Sequence, residues 1–306
     1  MRTREQEIEP LVNLSEITEI ELLILRRMSE FTIGEHRSRF HGTGFDFVGL
    51  REWQPGDRFS SIDWAQSSLT NFNPIMSREF EQPSTASVIA VADVSLSTRC
   101  GADGVTIAAA IARAIATIGM SAVFFQDSFG LMTFETNFRE LSVVPARTGK
   151  GHVVHCLDAY QNGHGLQEVR QAGSISMSIA SVMRKTSLIP VISDFLFENP
   201  REVLRELSQL NSAHDLFLVL IDAGFAYELP RASAGWIEIF DVETGRSRVI
   251  SRKAAEKLSQ EARRWQDEVE GMAKEASLDV LRLGIDDRQF TLALTEFIAE
   301  RRLRKS

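Results

Sequence analysis

The stretch Val88-Ile89-Ala90-Val91-Ala92-Asp93-Val94-Ser95-Leu96-Ser97 decides how the chain is read. Its first five residues are apolar without polar alternation. The run is too short for a buried helix and suits a strand covered on both faces, as in a parallel sheet. In open α/β sheets, ligands gather beyond the carboxyl ends of the strands. Asp93 stands at such an end, and Asp93, Ser95 and Ser97 alternate, so an extended loop can turn one carboxylate and two hydroxyls the same way. A second run, Ile189-Pro190-Val191-Ile192-Ser193, closes on Asp194 in the same manner. Hard oxygen donors of this kind suit Mg²⁺, which takes octahedral oxygen ligands and keeps several waters. The expected metal ligands are therefore Asp93, Ser95, Ser97 and Asp194. The competing reading is local, with Asp93 and the serines capping the following helix.

Outward from this stretch, short apolar runs alternate with helical segments. Expected helices are Gly104–Met120, Gly151–Tyr160, Ile175–Arg184, Pro200–Leu210, Arg252–Ala276 and Arg288–Arg302. Expected strands are Val88–Asp93, Ser121–Gln126, Gly130–Glu135, Arg139–Val144, Leu188–Asp194, Asp215–Asp222 and Asp279–Leu283, with a hairpin over Trp236–Ile250 turning at Thr244-Gly245. Such alternation implies an α/β fold with a mostly parallel central sheet and helices on both faces. Upstream, Ser15–Ser29 has helical spacing with Ser15 as cap. Gly34–Asn73 reads as irregular, rich in glycine and aromatics. The expected division is an N-terminal extension, 1–85, and an α/β domain, 86–306.

Across its 306 residues the chain carries a formal net charge of -8, which argues against a nucleic-acid partner. Met1–Pro10 is charged and lacks a signal-peptide core. Val105–Phe125 is apolar but holds Arg113, which costs about 2.5–3.5 kcal/mol at a membrane centre; a buried helix fits better. Cys100 and Cys156 are far apart and outside any Cys-x-x-Cys spacing, as in a reduced, cytoplasmic protein. These features lead to the expectation of a soluble protein with no membrane partner.

Asp93-Val94-Ser95-Leu96-Ser97 resembles the first segment of the metal-ion-dependent adhesion site of von Willebrand factor A domains, and Asp194 its third segment. Gly42-Thr43-Gly44-Phe45-Asp46-Phe47-Val48-Gly49-Leu50-Arg51-Glu52-Trp53-Gln54-Pro55-Gly56-Asp57, ending in Ile62-Asp63-Trp64, resembles the signature of domain-of-unknown-function family 58. That resemblance implies a Rossmann-like von Willebrand factor A domain behind the extension. It also implies a non-catalytic adaptor role beside a MoxR-type AAA+ ATPase or its client in protein maturation, through metal-mediated adhesion. Many members carry N-terminal membrane helices, and this chain looks like the soluble form. In the adhesion site a second loop supplies a threonine. Registering Val153 and Leu157 against the following helix puts Gly151 at that place, with Thr148 the nearest hydroxyl. Arg99 and Lys150, close by in sequence, offer to neutralise the carboxylates without metal. The alternative function is a Mg²⁺-dependent hydrolase using the same carboxylates.

Other signals are weaker. Thr148-Gly149-Lys150-Gly151 lacks the first glycine and the hydroxyl of a phosphate-binding loop. Asp93-Val94-Ser95 lacks the second aspartate of a phosphoaspartate hydrolase. His152 and His155 share a helical face without a third ligand. Arg37, Arg39 and His41 beside Phe40 form a short basic-aromatic cluster that packing explains better than nucleic acid. Arg301-Arg302-Leu303-Arg304-Lys305 complements a helix dipole. Arg51, Asp57, Asp63 and Trp64 serve either as a docking surface or a strut shaping the metal-site face or, the favoured reading, as a buried Arg–Asp network under a Trp cover.

Overall fold

The computed structural model describes residues 10–33, 46–55, 59, 62–81, 86–102, 105–135, 138, 140–183, 185–227, 236–241, 246–284 and 287–305. The chain divides into two units: Ser29–Thr85, and a larger one combining Met1–Met28 with Ala86–Ser306. The first helix, α1 (Leu14–Ile33), thus begins in the α/β unit and not in the extension as expected. Its cap is Asn13, not Ser15. The Glu16 N–H donates to Asn13 Oδ1 at 2.9 Å while the Asn13 N–H donates to the Glu16 carboxylate at 2.7 Å, a reciprocal pair that satisfies two free donors.

In the smaller unit, β1 (Asp46–Glu52) pairs antiparallel with β2 (Met76–Glu81), with the short helix α2 (Trp64–Leu69) between them. The stretch expected to be irregular therefore holds a strand and a helix; its residues 34–45, with the basic-aromatic cluster at 37–41, lie outside the described residues. Asp63 is buried and caps α2, accepting from the Gln66 N–H at 3.1 Å. Trp64 is 59% exposed and Arg51 is exposed, so the expected burial of Arg51 beneath a Trp64 cover is not what forms. Asp57 lies outside the described residues.

The larger unit continues with β3 (Ser87–Asp93), β4 (Gly101–Ala102), β5 (Val105–Thr106), α3 (Ile107–Phe124), β6 (Ser128–Glu135), β7 (Glu140–Arg147), α4 (Lys150–Asn162), β8 (Gln167–Glu168) and α5 (Ile175–Ala180). After these come β9 (Ser187–Ser193), α6 (Pro200–Asn211), β10 (Asp215–Ile221), β11 (Trp236–Asp241), β12 (Arg246–Ser251), α7 (Arg252–Glu275), β13 (Asp279–Leu283) and α8 (Asp287–Lys305). Seven strands form one sheet in the order β13-β10-β9-β3-β6-β7-β8. The five from β13 to β6 are parallel; β7 and β8 add antiparallel pairings. This is the mixed α/β architecture with a mostly parallel sheet that the alternating runs imply, and it is compatible with a Rossmann-like fold.

Alternate strand residues go to opposite faces. On one face Ile89, Val91, Val191 and Leu218 pack with Val203, Leu204 and Leu207 of α6 and Val269 of α7. On the other lies α3, which contacts β3, β6, α4 and α8. By length and composition α3 could cross a membrane, yet most of it is buried inside the fold, and its Arg113 faces Glu16 of α1 at 3.8 Å.

Several boundaries differ from expectation. Ser121–Gln126 is not a strand. Helix α3 runs on to Phe124 because Ser121 keeps the helical pattern, its hydroxyl bonding the Thr117 carbonyl at 2.8 Å and its own carbonyl accepting the Phe125 N–H. Helix α5 stops at Ala180, short of the expected Arg184, which is outside the described residues. Strands β11 and β12 form the expected hairpin, with its turn at 242–245 also outside them. Arg301 does more than complement a dipole: its guanidinium meets Asp215 at 2.5 Å, the Asp279 carboxylate and the Leu216 carbonyl, tying α8 to the starts of β10 and β13.

Gly119 sits mid-helix in α3, where glycine normally costs about 1 kcal/mol against alanine. A Cβ there would come within 2.7 Å of Val153 Cγ1 in α4, a stiff, fully buried side chain. Gly119→Ala is therefore expected to lower the unfolding free energy by about 1–3 kcal/mol, read as a lower urea midpoint at unchanged slope.

Candidate functional site

Strands β3 and β9 are parallel neighbours, with Ala92 beside Ile192. Their ends therefore coincide, and Asp93 and Asp194, far apart in sequence, meet at the carboxyl ends of these central strands. Each is only 1% exposed. Asp93 Oδ1 accepts the Ser95 N–H at 2.8 Å, and Asp93 Oδ2 accepts the Ser193 hydroxyl at 2.5 Å. Tyr160, from the end of α4, donates its phenol to the Asp93 carbonyl at 2.9 Å. Asp194 Oδ1 accepts the Leu196 N–H at 3.0 Å, while its buried Oδ2 has no hydrogen-bond partner among the described residues.

Ser95 and Ser97 are half-buried above this pair, their hydroxyls 3.0 Å apart. The helix-capping alternative does not describe them. The turn at Leu96–Arg99 has no side-chain cap, and α3 is capped by Thr106, which accepts the Ala109 N–H at 3.1 Å. Both hydroxyls thus stay at the carboxylate edge.

Burial dominates the electrostatics. It raises the Asp93 carboxyl above its ordinary value of 3.8 against the pull of hydrogen bonds from Ser193 and Ser95. Burial first, and then the negative charge of Asp93, push Asp194 up to about 7, with the Leu196 N–H and nearby Ser97 hydroxyl pulling back. Burial and both carboxylates also hold the Tyr160 phenol well above its ordinary range. Among the described residues, no lysine or arginine figures in the interactions that move either carboxyl.

The expectations about Gly151, Thr148 and Lys150 need correction on topological grounds. Strand β7 runs antiparallel to β6, pairing Glu140 with Glu135 and Arg147 with Phe129, whereas Asp93 pairs with Phe134. Five residues of strand at roughly 3.3 Å each separate the two edges. The start of α4 thus lies about 17 Å along the sheet from the carboxylates, and Gly151 is not where a site hydroxyl is missing. Lys150 instead pairs with Glu21 of α1, and Arg99 is exposed. His152 and His155 share the far end of α4, their rings 5.9 Å apart. Among the described residues no three His, Cys, Asp or Glu side chains are grouped to hold a metal; the candidate set takes half its ligands from serine. Two carboxylates, one of them with an unpartnered buried oxygen, and two hydroxyls fit a hard divalent cation.

The family described as Protein of unknown function DUF58 matches residues 49–268. The chain belongs to this family. The DUF58 resemblance carried by Leu50-Arg51-Glu52 and Ile62-Asp63-Trp64 is thus membership. Over 299 residues the chain is 25% identical to the uncharacterized protein Mb1516 of Mycobacterium bovis and to the uncharacterized protein Rv1480 of Mycobacterium tuberculosis, covering 92% of this chain and 88% of each relative. Among solved structures it is similar to an aerotolerance-related membrane protein from Bacteroides fragilis, at 14% identity and a TM-score of 0.41, over 70% of this chain and 99% of that one. It is also similar to the pilus adhesin SpaC from Lactobacillus rhamnosus GG, at 9% identity and a TM-score of 0.39, over 71% of this chain and 30% of that one.

Sequence reasoning missed the residues of this DUF58 chain that brace the site from α7. Gln266 is fully buried and donates to the Asp194 carbonyl at 2.8 Å; its neighbour Trp265 donates to the Phe195 carbonyl at 2.9 Å. A signal was present. Ala255, Ser259, Ala262, Gln266, Val269 and Ala273 fall at helical spacing on one stripe, and the one amide in a stripe of small and apolar residues marks a buried polar contact.

A carboxyl with a higher pKa folded than unfolded favours the fold while protonated, an advantage lost as pH rises through the folded value. For Asp194 the window runs from about 3.8 to about 7. In chelator, the protein is expected to lose on the order of 2–4 kcal/mol of stability to this group between pH 4 and pH 8. Asp194→Asn is expected to remove that dependence, measured as the difference between the two proteins' urea midpoints across the range.

Proposed function

We propose that this chain is a non-catalytic, cytoplasmic interaction module of the von Willebrand factor A type, which binds a protein partner through a divalent cation held by Asp93, Ser95, Ser97 and Asp194. The observation that carries the reading is the meeting of two buried carboxylates at one strand edge, with one oxygen unpartnered and no lysine or arginine side chain compensating their charge among the described residues. A cation such as Mg²⁺ would supply the missing positive charge and an open position for an acidic group of the partner. The family resemblance makes a MoxR-type AAA+ ATPase, or its client, the expected partner in protein maturation or complex assembly.

A second reading, a Mg²⁺-dependent hydrolase, draws on the same Asp194, whose carboxyl near 7 is suited to move protons at neutral pH. One carboxylate cannot hold a cation and serve as free base at the same time, and Tyr160 is held protonated. This favours adhesion over turnover.

Two measurements test the proposal. Mg²⁺ is expected to raise the unfolding temperature of the parent, by the equivalent of about 2.7 kcal/mol at a hundredfold excess over its dissociation constant, and to leave Asp93→Ala unmoved. Capture of a MoxR-type ATPase by the parent, lost in Asp93→Ala, would support the adaptor role; equal capture by both would refute it. Mg²⁺-dependent hydrolysis of a generic phosphate ester, abolished by Asp194→Asn, would establish the second reading instead.

A further inference from the structure

The turn that carries Asp194 is an awkward piece of backbone. Phe195 is fully buried yet has φ 54°, a conformation that side-chain-bearing residues rarely adopt. The turn swings the Asp194 and Phe195 carbonyls out of the sheet ladder, where buried acceptors need partners. Both partners come from consecutive residues of α7. Trp265 Nε1 donates to the Phe195 carbonyl, and Gln266 Nε2 donates to the Asp194 carbonyl at 2.8 Å and to the Ile221 carbonyl at 2.8 Å. Gln266 Oε1 accepts the Ala223 N–H at 3.2 Å. The neighbours fix the amide's orientation: two carbonyls require its NH₂ and one N–H requires its oxygen, so a flipped amide would face like with like.

We propose that Gln266, seconded by Trp265, is a positioning element that locks the Asp194 turn against β10, so that the carboxylate is presented toward Asp93 rather than relaxing away from it. Its value for cation binding rests on the adhesion reading above; its hold on the turn does not. Residues that orient a metal ligand from behind commonly change metal affinity tenfold or more when removed. A neutral amide is the side chain suited to the task, because it donates to two carbonyls and accepts from the Ala223 N–H, and at 3.5 Å from Arg282, without itself carrying charge beside an acidic pair.

The test compares Gln266→Met, similar in size but without the amide, and Trp265→Phe with a control on the same helix. Ser259→Ala removes another buried bond of α7, from the Ser259 hydroxyl to the Gly224 carbonyl at 2.9 Å, without touching the turn. In the full chain, hydrogen exchange at the Phe195 and Leu196 amides is expected to quicken about tenfold in Gln266→Met and Trp265→Phe, and Mn²⁺ affinity by calorimetry to fall about tenfold. Ser259→Ala should lower the unfolding temperature while leaving both readouts in place. Unchanged exchange at these amides in a folded Gln266→Met protein, or equal quickening in Ser259→Ala, would overturn the proposal. Should Gln266→Met not fold, Trp265→Phe carries the comparison. A parent that binds no Mn²⁺, together with local quickening in the two variants, would discard the cation reading and sustain the positioning role.

Discussion

Two buried carboxylates lie together at the ends of adjacent parallel strands, and much of the molecule's local structure answers to that constraint. Removing one carboxylate from water is costly, and placing a second beside it adds repulsion that a low dielectric does little to screen. The surroundings respond with neutral donors: the Ser95 N–H and Ser193 hydroxyl on Asp93, the Leu196 N–H on Asp194. These lower the cost without cancelling the charge, which is why the Asp194 carboxyl still sits near 7.

The reversal of strand direction at β7 decides which side chains can take part. Because β7 reverses against β6, the loop before α4 emerges at the far edge, and only the other end of α4, at Tyr160, returns to the carboxylates. Register against the family's helix points to Gly151 and Thr148, and closeness in sequence to Lys150; strand polarity removes all three. In their place stand groups from α7, distant in sequence and joined to the site through backbone carbonyls.

The parts legible in the sequence were those written as continuous patterns. Val88–Ala92 and Ile189–Ser193 are runs whose length and composition admit little but a buried strand, and the acids that close them mark the candidate site. Ser121–Gln126 shows the limit of that logic: a short apolar run following a helix reads equally as more helix, and a serine able to bond back to Thr117 tips the balance. The cap at Asn13 was hidden because Ser15 offered an equally good side chain two residues on, and only the reciprocal bond with Glu16 separates them. Gln266 was harder still, since the groups it satisfies are backbone carbonyls that no sequence pattern announces.

The placement of the basic side chains completes the argument. A lysine or arginine turned into the crevice would have neutralised the pair from within, at the cost of burying another charge. Here Lys150 is committed to Glu21, Arg113 lies beside Glu16, and Arg282 meets Asp267 and Asp222 while one of its N–H groups donates to Gln266 Oε1 at 3.5 Å. The helix thus turns its ion pairs outward and its neutral amide inward. A pair of acids braced by neutral donors retains a charge deficit that a proton meets in acid and that, at neutral pH, an ion from solution is suited to meet. The bracing from α7 matters for the same reason, since two like charges with no lysine or arginine compensating them among the described residues would otherwise favour any motion that parts them.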